Sequence, residues 1–494
     1  MKTAIIVLAL LWASTVGANA LEDNTIEIRG AQPSDHAGGL VAPAGDVNGD
    51  GSQDLLLGAC ADSGHVSGGS PGAVYVIFDR SSGDIDLSKL KKDQGFAITG
   101  AAPKDMACTA SGLGDINGDG KDDILVGAPS ADNNGRASSG SAYVVWGRDD
   151  GRHISLREID IGLGSLGLRI DGGASRDLLG TRVASAGDQN QDGVPDLAIA
   201  APFRSATYVI YGSERILPLD LAIFDLGLQP DLGYRIDTPA PSINKNYSLS
   251  NVGDLNDDGT DDLAIGIVST RRAKGHVYVV FGGPRNSAVN VNELGVEGLV
   301  VRGARRKATT GYSLAPIGDF NNDGFGDLAI GAPRAYAVGG RGRVYILLGR
   351  KSPMDVDLSS LQQSVEIVSS GSEDRFGYSI AGAGDLDQDG YDDFVVGAPR
   401  ASRRGVPETG AAYIVWGKKI QTSHTYAGKN SISMLMRGKA GLHKRCATRH
   451  SFCPGDAAGR SVASIVEERG TAIVIGVPYS GYRLRGSARV IRYP

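Results

Sequence analysis

Beyond its first twenty residues the chain has no apolar run approaching the ~18 residues of a membrane-spanning helix, so no helical span is expected there. Histidine is scarce, seven in 494, and no pair stands at metal-ligand spacing, which argues against a zinc centre. Two fragments have the spacing of catalytic or cofactor motifs but lack the surroundings. GLGSLG (162–167) has the dinucleotide-binding spacing without a strand–turn–helix unit around it. GGSPG (68–72) sets Ser70 before a β-rich run and not between strand and helix, unlike a nucleophile elbow. The net charge of −6 is modest and by itself points to no partner.

Cysteine is also rare. Four residues, Cys60, Cys108, Cys446 and Cys453, allow three pairings. The short polar loop between Cys446 and Cys453 favours a local bridge, which leaves Cys60 with Cys108. Disulfides imply an oxidising compartment. The N-terminus agrees: Lys2, an apolar run from Ala4 to Ala13, and Ala18-Asn19-Ala20 as a small-residue cleavage site compose a secretory signal over residues 1–20. The expected product begins near Leu21 and is secreted, extracellular, or periplasmic in a bacterium. Asn246-Tyr247-Ser248 is an N-glycosylation sequon in a host that modifies exported proteins.

What is abundant is glycine, 71 residues, about twice the usual ~7%. Much of it belongs to one recurring stretch. GDVNGDGSQDLLLGA (45–59) returns at 114–129, 187–202, 253–266, 318–333 and 384–399. The first aspartates, Asp46, Asp115, Asp188, Asp254, Asp319 and Asp385, are spaced by 69, 73, 66, 65 and 66 residues. Self-similarity at a fixed period is the signature of a repeat architecture. In each copy acids or amides alternate along a glycine-bearing turn that ends on an apolar strand. Oxygens at alternate positions of a tight loop suit a hard cation such as Ca²⁺, and without one the clustered carboxylates would repel. An EF-hand is excluded, because its twelfth-position acid is replaced by Leu57, Val126 or Ile265 and no helix flanks the loop.

Each unit then reads as four short antiparallel strands: one before the acidic loop, one after it, a Val/Ile/Tyr-rich third such as GAVYVIF (72–78), and an alternating fourth such as FAITG (96–100). Such a unit is too small to bury both its faces and needs neighbours. Six units carry the loop. A seventh, from residue 459, keeps three strands and lacks the loop, with Glu467, Glu468 and Arg469 in its place. An orphan strand, TIEIRG (25–30), precedes the first unit and resembles the missing fourth strand. The expected fold is an all-β, seven-bladed propeller closed by three C-terminal strands plus one N-terminal strand. The blades fall near 38–103, 107–173, 179–239, 246–304, 311–370, 376–438, and 459–494 plus 25–30, a single domain over 21–494.

The GD…DGxxDLxxGAP units resemble FG-GAP repeats, the units of the integrin α-subunit β-propeller, over essentially the whole chain after residue 20. The resemblance implies about six Ca²⁺ sites, each held by side chains at loop positions one, three, five and nine and by the main-chain oxygen at seven. Here those are Asp46, Asn48, Asp50, Ser52 and Asp54; Asp115, Asn117, Asp119, Lys121 and Asp123; and Asp188, Asn190, Asp192, Val194 and Asp196. The later loops supply Asp254, Asn256, Asp258, Thr260 and Asp262; Asp319, Asn321, Asp323, Phe325 and Asp327; and Asp385, Asp387, Asp389, Tyr391 and Asp393. Two departures stand out: the seventh unit should bind no cation, and a unit begins with Phe-Gly only at Phe376-Gly377.

Three functions follow from the resemblance: a secreted adhesion or ligand-binding module, a lectin-type propeller that binds a glycan, or a relative of a glycosylphosphatidylinositol-specific phospholipase. The repeats occupy the chain, so a non-catalytic module is expected and an enzyme is the weakest reading. The loops opposite the acidic ones, from the fourth unit on, are rich in cations: Arg271, Arg272, Lys274, Arg305, Arg306, Lys307, Arg334, Arg341, Arg343, Arg400, Arg403 and Arg404. Clustered cations attract anionic partners. An anionic polysaccharide, another acidic glycan or an acidic protein is the expected partner there. Nucleic acid is not, since these loops lack interleaved aromatics.

Overall fold

In the computed structural model, the described residues are 25–32, 35–60, 70–78, 83–161, 165–213, 218–222, 230–239, 245–269, 274–285, 287–334, 341–360, 364–369, 373–402, 409–419, 432–437, 457–467, 470–479 and 486–493. They form seven antiparallel sheets set round a ring, a seven-bladed β-propeller with almost no helix. The innermost strands are Ala37–Gly45, Thr109–Gly114, Arg182–Gly187, Lys245–Asn251, Leu314–Pro316, Ser379–Gly384 and Val462–Glu467. Each touches the next, and the last touches the first, so the ring closes.

Blade 1 shows why the chain folds this way. Its second strand, Asp54–Ala59, is buried at every residue, with Leu56 turned to blade 2 and Leu55 and Leu57 turned to blade 7. A strand that is apolar on both faces can satisfy them only between two other sheets. Accordingly the interior is divided into seven hydrophobic clusters, one between each pair of adjacent blades.

Blade 7 is completed from the other end of the chain. Its sheet runs Val462–Glu467, Gly470–Val477, Ser487–Tyr493 and then Thr25–Arg29, with Thr25 opposite Ile491 and Arg29 opposite Ser487. A further feature escaped the sequence reading. Among the described residues, five blades gain a two-residue parallel strand from the third-to-fourth connection of the next blade, as where Ile85 pairs with Ile28 and Ile154 with Ile98. These short strands cover edges that would otherwise expose unpaired backbone groups.

Cys60 ends the second strand of blade 1 and is bonded to Cys108, just ahead of the innermost strand of blade 2, with a Cα–Cα distance of 5.4 Å. The bridge staples two blades across 48 residues of chain. Loop-closure entropy for that length is worth up to about 4 kcal/mol. Replacing both cysteines by serine should lower stability by about 2–4 kcal/mol in a denaturant titration. An unchanged midpoint would show that the blade interface alone holds this junction. Cys446 and Cys453 lie outside the described residues.

Candidate cation loops and the two faces of the ring

The six acidic loops share one construction. In the first, Asp46 Oδ1 accepts hydrogen bonds from the N–H groups of Gly49 (2.8 Å) and Asp50 (3.0 Å), and its Oδ2 from Gly51 (2.8 Å). Asn48 Oδ1 accepts from the Asp50 N–H, and Asp50 Oδ1 from the Ser52 N–H. In every other copy the first aspartate again accepts from the sixth-position glycine N–H, at 2.7–2.8 Å. That glycine sits at φ between 87° and 92° in all six loops, a left-handed turn that a side chain would strain. The fourth position is left-handed too, and in four loops it is Gln191, Asp257, Asn322 or Gln388 and not glycine.

The ninth acid plays a part that spacing alone did not reveal. Asp54, Asp123, Asp196, Asp262, Asp327 and Asp393 are buried. In each, Oδ2 accepts from the N–H of the second loop residue, at 2.7–3.1 Å. In five, Oδ1 accepts from a glycine N–H just past the third strand: Gly147, Gly212, Gly282, Gly349 and Gly417. One carboxylate thus ties loop, second strand and third strand together. Burial pushes five of these acids up, opposed by the same hydrogen bonds and assisted by the loop's other carboxylates. Asp123, Asp196, Asp262 and Asp393 rise to about 7 and Asp327 to about 8.

The donor set fits a hard cation. In the sixth loop, carboxylate oxygens of Asp385, Asp387 and Asp393 lie within 4.8 Å of one another. In the fifth, Asn321 donates through Nδ2 to Asp323, at 2.9 Å, while its buried Oδ1 accepts no hydrogen bond. An acceptor buried without a donor is costly, and a cation would satisfy it. The seventh-position residues, Ser52, Lys121, Val194, Thr260, Phe325 and Tyr391, donate their backbone N–H to the fifth-position acid, so a side chain is not required there.

Neighbouring loops are also latched. The eighth residue is Asp122, Asp261 or Asp392 in blades 2, 4 and 6. Asp122 Oδ2 accepts from the Asp46 N–H and Asp392 Oδ2 from the Asp319 N–H, both at 2.7 Å. A Cβ on Gly45, Gly187 or Gly318 would run into the corresponding carboxylate. Sequence reading missed these three acids, although they stand at one fixed offset in alternate copies.

Backbone hydrogen bonds settle which loops share a face. The Asp122 and Arg148 N–H groups donate to Asp46 and Val47, so first-to-second and third-to-fourth connections lie together. On the other side, the N–H groups of Ser130, Arg334 and Arg400 donate to Asp105, Ala308 and Asp374, joining second-to-third loops to blade-to-blade connections. That second face carries half-buried Arg305 and Arg334 and exposed Arg306, Lys307 and Arg400. Arg343 does not belong to it. It opens the strand Arg343–Leu347, is buried, and lies 2.9 Å from Glu366, because the facing strand presents that acid one diagonal step away. Arg271, Arg272, Arg403 and Arg404 lie outside the described residues.

Fold and loops together define a seven-bladed propeller of acidic-loop repeats. The FG-GAP repeat family matches residues 109–145, 310–347 and 376–415. The chain is an integrin-α-like FG-GAP β-propeller. It is similar to mouse integrin alpha-IIb, 34% identical over 163 residues, which is 31% of this chain and 15% of that protein. Integrin alpha-5 of Xenopus laevis is 32% identical over 183 residues, 35% of this chain and 15% of that protein. Bovine phosphatidylinositol-glycan-specific phospholipase D is 28% identical over 280 residues, 53% of this chain and 28% of that protein. The matched segments therefore span under a third of each of these relatives.

Proposed function

We propose that this chain is a secreted, non-catalytic binding module in which Ca²⁺ stiffens the six acidic loops and the opposite face takes an anionic partner. The observation that carries the reading is the cluster of cations opposite the acidic loops: Arg305, Arg306, Lys307, Arg334 and Arg400 lie on the face away from the six carboxylate-rich turns. In each loop Ca²⁺ would take side-chain oxygens at positions one, three, five and nine and the main-chain oxygen at seven. It would supply charge neutralisation and rigidity there, not chemistry on a substrate. Left-handed Gln191 and Gln388 support this, since such strain persists where surroundings over-determine it. Export is supported by the Cys60–Cys108 bridge and by the signal-like residues 1–20, which lie outside the described residues. The integrin relatives favour adhesion. The phospholipase relatives set the rival reading, which release of phosphate ester products by the purified chain would favour.

Exposed cations steer anions in a salt-dependent way. Reversing Arg305, Arg306 and Lys307 to Glu should make the chain elute from a sulfated-polysaccharide column at clearly lower salt, with the melting temperature in Ca²⁺ unchanged. Identical elution would reduce this face to solvated surface.

A further inference from the structure

Four blades carry a hydroxyl at one repeated position, in or just ahead of the innermost strand, facing the next blade. Thr109, Ser248, Ser313 and Ser379 donate to the carbonyl oxygens of Gly180, Gly311, Gly377 and Gly459, at 2.7–3.0 Å. Blade 3 breaks the pattern. Arg182 pairs with Ala200 in the register where Thr109 pairs with Gly127 and Ser379 with Gly397. Its guanidinium donates through Nη1 to the Thr181 carbonyl oxygen at 2.8 Å, is held down by burial, and feels Tyr312 and Tyr378, two and three blades further round the ring. Such reach is possible only across the central channel.

Other groups converge on the same mouth. The Tyr312 and Tyr378 rings pack 4.7 Å apart. Arg460 lies over Tyr378 at 5.7 Å and over Tyr479 at 5.5 Å, and Arg375 over Tyr378 at 5.9 Å. All are half-buried. Apart from burial, the strongest influences on Arg375 are the cations of Arg400 and Arg334. The acid beside it, Asp374, is turned inward and buried, bonded to Ser369 and to the Phe376 N–H. Burial pushes the Tyr312 hydroxyl upward, with Tyr378 adding to the shift, so it remains a donor.

We propose that this channel mouth, on the face opposite the acidic loops, is a binding site for the carboxylate or sulfate of an acidic saccharide, with Arg182 on its floor, Arg375 and Arg460 on its walls, and the Tyr312 and Tyr378 hydroxyls as further donors. The inference rests on the reading of that face as the binding face and names its centre. A cationic ligand is disfavoured: the chain's own guanidinium groups already cover the tyrosine faces, and a further cation would add to their repulsion. Planar guanidinium forks match carboxylate and sulfate oxygens, and charge-assisted bonds are the stronger kind. The narrow centre of the ring favours one projecting group over a flat protein surface.

The test is calorimetric titration of the full chain in Ca²⁺ with an oligogalacturonate, its carboxyl-reduced neutral counterpart, a sulfated dextran oligomer and polyglutamate. Arg182→Gln and Arg460→Gln should each weaken binding of the preferred acidic saccharide by about tenfold or more, as loss of a desolvated charge partner does. Tyr378→Phe, which keeps the ring and removes only the hydroxyl, should weaken it less and serves if Arg182→Gln does not fold. Carboxylate against sulfate preference follows from the two acidic probes, and the neutral oligomer should not bind. If the rim reversal of Arg305, Arg306 and Lys307 abolishes binding while the channel variants bind as the parent does, the face reading stands and the channel site is overturned. Binding of polyglutamate alone, or of neither acidic saccharide, overturns it as well.

Discussion

A chain lacking residues 25–30 should fail to form a stable monomeric ring. The segment supplies the fourth strand of blade 7, in register with Ser487–Tyr493 from Thr25 opposite Ile491 to Arg29 opposite Ser487. Ile26 and Ile28 are buried in the core between blades 7 and 1, and the Gly30 N–H donates to the Gly486 carbonyl at 2.9 Å. Losing two buried isoleucines costs about 4–10 kcal/mol at roughly 2–5 kcal/mol each. A folded domain has a net stability of only about 5–15 kcal/mol. The deletion also bares the edge of Ser487–Tyr493 and strips the short strand Ile85–Asp86 of its partner, inviting intermolecular pairing. Aggregation, or loss of the cooperative melt, is the expected result, while Ile28→Ala alone should lower stability by about 2–5 kcal/mol. A truncated chain that elutes as a monomer with an unchanged melting temperature would show that the ring does not depend on this closure.

The ring was legible because the repeat itself is loud. Six copies of one turn at nearly even spacing determine blade number, and the seventh unit's missing strand finds its match at Thr25–Arg29 by simple likeness. The two-residue outer strands were not legible, since Ile85–Asp86 or Val356–Asp357 is too short to carry any periodicity. Arg343 was misplaced for a related reason. It stands two residues after Arg341 in an arginine-rich stretch, and only the pairing of its strand with Ser364–Val368 reveals the buried Glu366 beside it. The channel mouth draws on Arg182, Tyr312, Tyr378, Arg460 and Tyr479, from four blades, and chain spacing does not show that a ring brings them together. One signal was nevertheless present. Tyr312 and Tyr378 each stand seven residues ahead of the first loop aspartate, Asp319 and Asp385, so their equivalence could have been read from the repeat.

Calcium should stabilise the chain, and by more at pH 8 than at pH 5.5. A cation bound only by the folded state contributes roughly 0.4–1.4 kcal/mol per site at about 1 mM, if affinity lies near the 10⁻⁴–10⁻³ M of extracellular modules. Six such sites would dominate the melting temperature. The pH dependence comes from the ninth acids. In the cation-free chain, burial raises Asp123, Asp196, Asp262 and Asp393 to about 7 and Asp327 to about 8. An unfolded aspartate titrates near ~3.9. Between about pH 4 and pH 7–8 the folded chain therefore holds protons that the unfolded chain has released, and its stability falls as pH rises through that window. Ca²⁺ competes with those protons for the same oxygens and removes the penalty of the ionised form. Melting curves in chelator should accordingly shift downward from pH 5.5 to pH 8, while curves in excess Ca²⁺ shift less, so the gap between them widens with pH. A gap that stayed constant would mean that the buried acids are already ionised without the cation. No gap at either pH would mean that the hydrogen bonds to Asp46 and its five counterparts hold the loops without any cation.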